Sequence, residues 1–173
     1  VRAVMFDGSG RQVSMDSVEY SVISDAGGWA ELDPDLMFEA CINVIRNCME
    51  KAGSKKNCTA GIGISCQMHS LMAVDGAGQP LTRLITWMDT RAAKEADYIL
   101  KNCDVGDMYY RTGCRVQHPM YPLSKLLWMK VNAPETFGKA YKFITIKEYI
   151  IFRLFNRFVV DYTLAASQGY YDI

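Results

Sequence analysis

The spacing of apolar positions changes period along this chain, from strand-like in the first half to helical in the second. Val1 to Phe6 is an apolar run of strand length, and Asp7-Gly8-Ser9-Gly10 after it is a strong turn signal. Arg11 to Ser24 continues in partial alternation (Val13 and Met15, then Val18, Tyr20 and Val22) and predicts further strand before Gly27-Gly28 interrupts it. Asp33-Pro34 then opens a helix. Asp33 can accept the first free backbone N–H groups, Pro34 suits the first helical position, and Met37, Cys41, Val44, Ile45 and Cys48 form the buried stripe up to a closing Gly53.

Thr59 to Ser65 alternates again. Ala60, Ile62 and Ile64 face one way, while Gly61, Gly63 and Ser65 leave the other face nearly bare, open to a helix or ligand. Leu71 to Val74, the turn Asp75-Gly76-Ala77-Gly78 and Leu81 to Trp87 predict a second hairpin. Beyond it the pattern is helical: Thr90 to Lys101, Pro122 to Val131, and a third helix opened by the capping box Thr145-Ile146-Lys147-Glu148, its inner face being Ile146, Tyr149, Ile150 and Leu154. Strands followed by helices predict an α/β layered domain with a mixed sheet over residues 1–173, with no linker-like segment dividing it.

Composition narrows the partners. Nineteen basic residues balance nineteen acidic ones, which argues against nucleic acid or an anionic membrane surface as the main partner. No apolar run approaches the roughly 20 residues of a membrane span, and no signal-like segment opens the chain, so the expectation is a cytoplasmic protein. The six cysteines contain no Cys-x-x-Cys pair; Cys41 and Cys48 read as small core residues, and neither a disulfide scaffold nor a metal site is expected. The methionines and the tyrosine-rich tail are read as core filling. Val1 lies inside an apolar run and Tyr170-Tyr171-Asp172-Ile173 is equally apolar, so both ends read as cut from a longer polypeptide.

Several chemistries lack their motifs. Gly8-Ser9-Gly10-Arg11 has glycines but neither the spacing nor the following helix of a phosphate loop, and reads as a hairpin turn. Four places could carry a site. His69 follows a strand end beside Gln67 and Met68, where a loop is held by rigid scaffold. His118 stands between prolines in Val116-Gln117-His118-Pro119-Met120-Tyr121-Pro122, a backbone stiffened for contact or simply for helix entry. Trp87 can wall the apolar face of a sugar while Asp89 accepts its hydroxyl hydrogens; equally, Trp87 can be core and Asp89 a helix cap. Arg91 can pair with Asp89 or meet an anionic ligand.

Taken together these segments resemble the FGGY family of carbohydrate kinases. The likeness rests on Gly28-Trp29-Ala30-Glu31-Leu32-Asp33-Pro34, Gln67-Met68-His69-Ser70-Leu71, Ile85-Thr86-Trp87-Met88-Asp89-Thr90-Arg91, Arg111-Thr112-Gly113-Cys114 with His118-Pro119-Met120 and Pro122-Leu123-Ser124-Lys125-Leu126, Ile146-Lys147-Glu148-Tyr149-Ile150, and Val160-Asp161-Tyr162-Thr163-Leu164-Ala165-Ala166-Ser167, in order along the chain. The resemblance implies an actin-like, ribonuclease-H-like fold, the first of two such domains flanking a cleft. It implies ATP-dependent phosphorylation of a sugar or sugar acid, gluconate ahead of xylulose, with ATP and Mg2+ held mainly by the second domain. Met68 and His69 would meet substrate hydroxyls, Trp87 would form the aromatic wall, and Met120 with His118 would make a further sugar contact; Asp89 and Arg91 complete the expected substrate set. No catalytic base is expected within these residues, and the family's Asp-x-Gly-Thr phosphate loop would end just before Val1. The chain is thus expected to be a substrate-binding domain, inactive alone and open to homodimer formation, or else a catalytically silent sugar-binding module.

Overall fold

The computed structural model describes residues 1–172. They fall into two compact units, one made of Val1–Ser21 and Asp33–Ser65, the other of Val22–Leu32 and the chain from Cys66 onward. The apolar C-terminal run expected from the sequence extends to Ile173, which lies outside the described residues. No helix among the described residues is long and apolar enough to cross a membrane.

The first unit is a hairpin with one helix packed on it. Strand β1 (Arg2–Phe6) pairs antiparallel with β2 (Gln12–Ser17). The Asp7 carboxylate closes the turn by accepting the backbone N–H groups of Ser9 and Arg11, each at 3.0 Å. Strands β3 (Ile23–Ser24) and β4 (Ala30–Leu32) belong to the second unit; helix α1 (Pro34–Lys51) returns to the first. Asp33 caps α1 by accepting from Asp35 N at 2.9 Å and Leu36 N at 3.1 Å, as its sequence predicts. Met37, Val44 and Cys48 are buried, and the Ser14 hydroxyl donates to the Cys48 carbonyl at 2.8 Å. Lys51 reaches Asp16 on β2.

Two strand expectations fail here. Arg11–Ser24 is not one strand: Val18 still exchanges backbone hydrogen bonds with Val1, but residues 19–22 leave the ladder, and Val18 and Tyr20 are exposed, so their alternation has no buried face to serve. Thr59–Ser65 makes no ladder among the described residues and Ile62 is 68% exposed. Alternation shows that a backbone can extend, but pairing needs a neighbouring edge, and Gly61 and Gly63 supply no side chain to pack.

In the second unit, β5 (Met72–Val74) and β6 (Leu84–Ile85) form the expected second hairpin only in part. Leu71 and Ile85 exchange backbone hydrogen bonds of 2.9 and 2.8 Å, and Asp75 organises the turn by accepting from Ala77 N and Gln79 N. The arms also meet between Val74 and Pro80 and through Leu81 N and the Ala73 carbonyl at 2.8 Å, while β6 joins β4 and β5 pairs with a later strand. Gly78 is needed at this turn: it has φ +76°, and a Cβ there would lie 1.9 Å from the Phe152 ring.

The helical half contains α2 (Ala93–Asn102), α3 (Val105–Thr112), α4 (Pro122–Asn132) and α5 (Pro134–Lys139), then strand β7 (Lys142–Ile144), α6 (Ile146–Phe155) and α7 (Tyr162–Ala166). Helices α3, α5 and α7 and strand β7 are too short to announce themselves by period. Helix α2 starts three residues later than expected, after a turn at Thr90–Ala92. Leu71, Ile85 and Met129 form one core cluster with Leu126, Trp128, Phe137 and Phe143; Ile99, Cys114 and Val116 form a second.

The α/β class holds, but the expected mixed sheet is realised among the described residues as three small antiparallel sheets, β1-β2, β3-β4-β6 and β5-β7. The strands are too short for wider pairing, several having two or three residues. Leu154 is 40% exposed rather than buried, because it lies in the last turn of α6 before Asn156 ends the helix in the left-handed region. Tyr162, Tyr170 and Tyr171 are likewise exposed rather than core.

The capping box of α6 is complete. Thr145 N donates to Glu148 Oε2 at 2.9 Å, while Thr145 Oγ1 accepts from Glu148 N at 3.4 Å. Replacing Thr145 with alanine should lower unfolding free energy by about 1 kcal/mol. Urea denaturation checks this, and an unchanged midpoint would contradict it.

Candidate functional site

All seven candidate residues, Met68, His69, Trp87, Asp89, Arg91, His118 and Met120, lie in the second unit. Two of them are enclosed. The Asp89 carboxylate is fully buried: Oδ2 accepts from Ala30 N and Arg91 Nη2, both at 2.7 Å, and Oδ1 accepts from Arg91 N at 3.0 Å and Arg91 Nε at 2.9 Å. Arg91 Nη2 also donates to Glu31 Oε1 at 2.7 Å. The guanidinium carbon lies 3.6 Å from the centre of the Trp29 ring and 5.1 Å from that of Trp128. The two indoles meet edge to face, 87° apart, so the planar cation lies over the Trp29 ring with Trp128 to one side. The Asp89–Arg91 pair therefore ties β4 to the segment entering α2. Only 4% of the Arg91 side chain is exposed, so its charge faces protein rather than solvent.

Trp87 and Met88 stand at the tip of the turn just before this pair, 49% and 42% exposed. The Thr86 hydroxyl anchors that turn by donating to the Ala30 carbonyl at 2.8 Å. The register places Leu71 opposite Ile85, so the chain two residues outward on either arm reaches His69 and Trp87 at the same end of the hairpin. Met68 is also exposed there, at 49%.

His69 has φ +60°, a conformation costly for a residue with a side chain and held only by its surroundings. Its Nδ1 lies 2.8 Å from the Ser167 carbonyl, just past α7. A carbonyl oxygen can only accept, so Nδ1 carries the proton and Nε2 keeps a lone pair. The ring packs edge-on against Tyr121 at 4.6 Å between centroids. Burial pushes its pKa below the usual histidine value, the Ser167 carbonyl opposes this, and the Lys125 charge adds to it. The neutral ring is thus a hydrogen-bond acceptor at pH 7.

His118 has the opposite polarity. Its exposed ring accepts the Met120 N–H at Nδ1, 3.1 Å away, which places the proton of the neutral ring on Nε2 as a donor. Its carbonyl accepts from Tyr121 N, fixing the loop into α4.

The residue that joins the two histidine loops is Lys125, which is not among the seven residues expected from the sequence. It is completely buried, and Nζ donates to the His69 carbonyl at 2.6 Å and the Met120 carbonyl at 2.7 Å. Desolvation lowers its pKa to about 7, against a favourable field from Asp89 and an unfavourable one from Arg91. The sequence held a signal for it: Lys125 shares the helical spacing of buried Pro122 and Met129, so a lysine falls on the inner stripe. Tyr121 and Ser167 carried no comparable mark.

Elsewhere, an open groove of about 470 Å³ lies within the first unit between β2 and α1, lined by Asp16, Val18, Leu36, Asn43 and Asn47 among others, and contains none of the candidates.

Trp87 and Met68 are exposed, His69 and Met120 are partly so, and the two imidazoles have opposite hydrogen-bonding character. Comparison with known proteins identifies the family. The whole of residues 1–173 matches the N-terminal domain of the FGGY family of carbohydrate kinases, and the chain belongs to that family. It is 38% identical over 168 residues to a gluconokinase from Bacillus licheniformis, covering 97% of this chain and 32% of that protein. The crystal structure of gluconate kinase from Lactobacillus acidophilus superposes with a TM-score of 0.90 at 39% identity, covering 97% of this chain and 33% of that one. That of ligand-bound xylulose kinase from the same organism gives 0.89 at 38% identity, covering 97% and 34%. The actin-like fold class read from the sequence stands. The chain spans about a third of the length of the relatives it matches.

The depressed pKa of Lys125 has a measurable consequence. Between about 7 in the folded chain and 10.5 in the unfolded one, the unfolded state binds a proton that the folded state does not. This group therefore makes stability rise with pH across that window and leaves it flat below, with a slope of up to about 1.4 kcal/mol per pH unit. The difference in unfolding free energy between the native chain and Lys125→Met should accordingly grow in favour of the native chain from pH 7 to 9.5. A difference independent of pH would contradict the assignment.

Proposed function

We propose that this chain is the sugar-binding domain of an ATP-dependent kinase that phosphorylates a hydroxyl of a sugar acid, gluconate being the best fit. The observation that carries the reading is the pairing of the two histidine loops through Lys125, with an acceptor at His69 Nε2 and a donor at His118 Nε2. Gluconate offers both complements: hydroxyl groups that donate and a carboxylate that accepts. Arg91 is enclosed by Asp89, Glu31 and Trp29, which favours His118 as the partner of the carboxylate. Trp87, Met68 and Met120 provide apolar surface for the carbon chain. In this reading Asp89 and Arg91 position the Trp87 turn and do not touch the substrate.

The family's chemistry requires ATP and a divalent metal, and the residues here do not fit either. Gly8-Ser9-Gly10 closes a hairpin whose turn N–H groups already bond Asp7, and no cluster of His, Cys, Asp or Glu suited to a metal occurs among the described residues. We therefore assign ATP, Mg2+ and the general base to the remainder of the kinase and derive no step through them. What residues 1–173 contribute is orientation: phosphoryl transfer depends on holding the attacking hydroxyl in line. A second reading, xylulose as substrate, is favoured by the likeness to xylulose kinase. Xylulose would meet the His118 donor with a neutral hydroxyl or ketone oxygen, a weaker acceptor than the gluconate carboxylate.

Kinetics of the full-length kinase test both points. kcat/KM should favour gluconate over xylulose, and His69→Ala should lower it for gluconate by roughly tenfold to a hundredfold, as loss of one buried hydrogen-bond partner predicts. A preference for xylulose would end the gluconate assignment, and an unchanged His69→Ala enzyme would remove His69 from the site.

A further inference from the structure

Lys125 is a long, completely buried side chain that makes no ion pair among the described residues. Its two hydrogen bonds go to backbone carbonyls of different loops, His69 O at 2.6 Å and Met120 O at 2.7 Å. Both loops are irregular. Outside Lys125, the His69 ring bonds the Ser167 carbonyl at 2.8 Å, and the Ser124 hydroxyl donates to the Val116 and His118 carbonyls at 3.1 and 3.4 Å. Of these side chains, Lys125 alone bonds both loops at once. His69 holds a left-handed conformation, and the 118–121 turn closes on the His118 ring and carbonyl. Each also carries a buried glutamine atom without a partner, Gln67 Nε2 in one and Gln117 Oε1 in the other. Loops with incomplete bonding drift unless something outside them fixes their separation. Lys125 rises from α4, whose Met129 is in the main core cluster, so its amine is delivered from a fixed frame.

We propose that Lys125 is a positioning residue: it clamps the His69 and Met120 carbonyls together and so fixes both imidazoles in the orientations that a sugar acid requires. The proposal rests on the sugar-site reading for its last clause only; the clamp is a property of the unliganded chain. The amine touches neither substrate nor reacting atoms. Its effect is exerted through the carbonyl of one histidine residue and, through Met120, on the backbone N–H that fixes the ring of the other. With the amine absent, two part-buried carbonyls lose their donor at once, and the strained His69 conformation loses a restraint.

The chain has two histidines, both in these loops, so the imidazole nitrogen NMR spectrum reports on the clamp without ambiguity. In the native 173-residue chain His69 should appear as the Nδ1–H tautomer and His118 as the Nε2–H tautomer. In Lys125→Met both rings should move towards the tautomer mixture of a free imidazole, while the signals of α1 and α6 stay in place. Retention of both native tautomers, or release of only one, would overturn the clamp.

Should that variant not fold, the native chain still decides. The Lys125 Nζ protons should exchange slowly with water and show cross-relaxation to both His69 and Met120; rapid exchange, or contact with one loop alone, would overturn the proposal. Adding gluconate separates the two readings. It should shift both ring signals in the native chain, and in Lys125→Met only at concentrations about tenfold higher or more. If gluconate leaves the native rings unmoved while Lys125→Met still releases both, the sugar assignment fails and the clamp stands. If gluconate shifts native and variant rings at equal concentration, the positioning role is wrong.

Discussion

The arrangement of this site depends on one lysine amine held out of water. Placing a lysine charge in a protein interior costs several kcal/mol even after relaxation, and a fold tolerates it where strong acceptors converge on it. Here the acceptors are two carbonyls from separate loops, assisted by the field of Asp89. Because those carbonyls belong to His69 and Met120, the feature that makes the lysine tolerable also fixes the spacing of the candidate ligand-binding residues. The fall of its pKa to about 7 is the thermodynamic trace of that compromise.

Beside it lies a second buried charge system with a different task. The Asp89–Arg91–Glu31 group, faced by Trp29 and Trp128, joins the Ala30–Leu32 strand to the turn that carries Trp87. Removing one member of such a network leaves an uncompensated charge and costs about 3–5 kcal/mol, so it acts on the site through the fold. One buried lysine thus joins the loops of His69 and Met120, and one ion-pair frame holds the turn that carries Trp87.

The sequence revealed most where local physics is strong. The Asp33-Pro34 helix start, the Asp7 and Asp75 turns and the Thr145 capping box each depend on side chains within four residues, and each appears in the structure as read. Thr59–Ser65 misled because alternation encodes extension and says nothing of a pairing partner. At Asp89 and Arg91 the residue types were informative but their direction was not; whether a carboxylate faces ligand or backbone depends on Ala30, far away in sequence. Lys125 was visible as a lysine on an apolar stripe, yet its meaning required knowing which loops its amine could reach. Tyr121 and Ser167 were illegible, since a ring edge and a main-chain carbonyl carry no motif.

The most direct test of the central claim is a crystal structure of this chain with gluconate bound. The account predicts one ligand with a hydroxyl within hydrogen-bonding distance of His69 Nε2, its carboxylate at His118 Nε2 and its carbon chain against the Trp87 indole. Gluconate bound away from this trio, or reaching one of the three rings without the others, would contradict it.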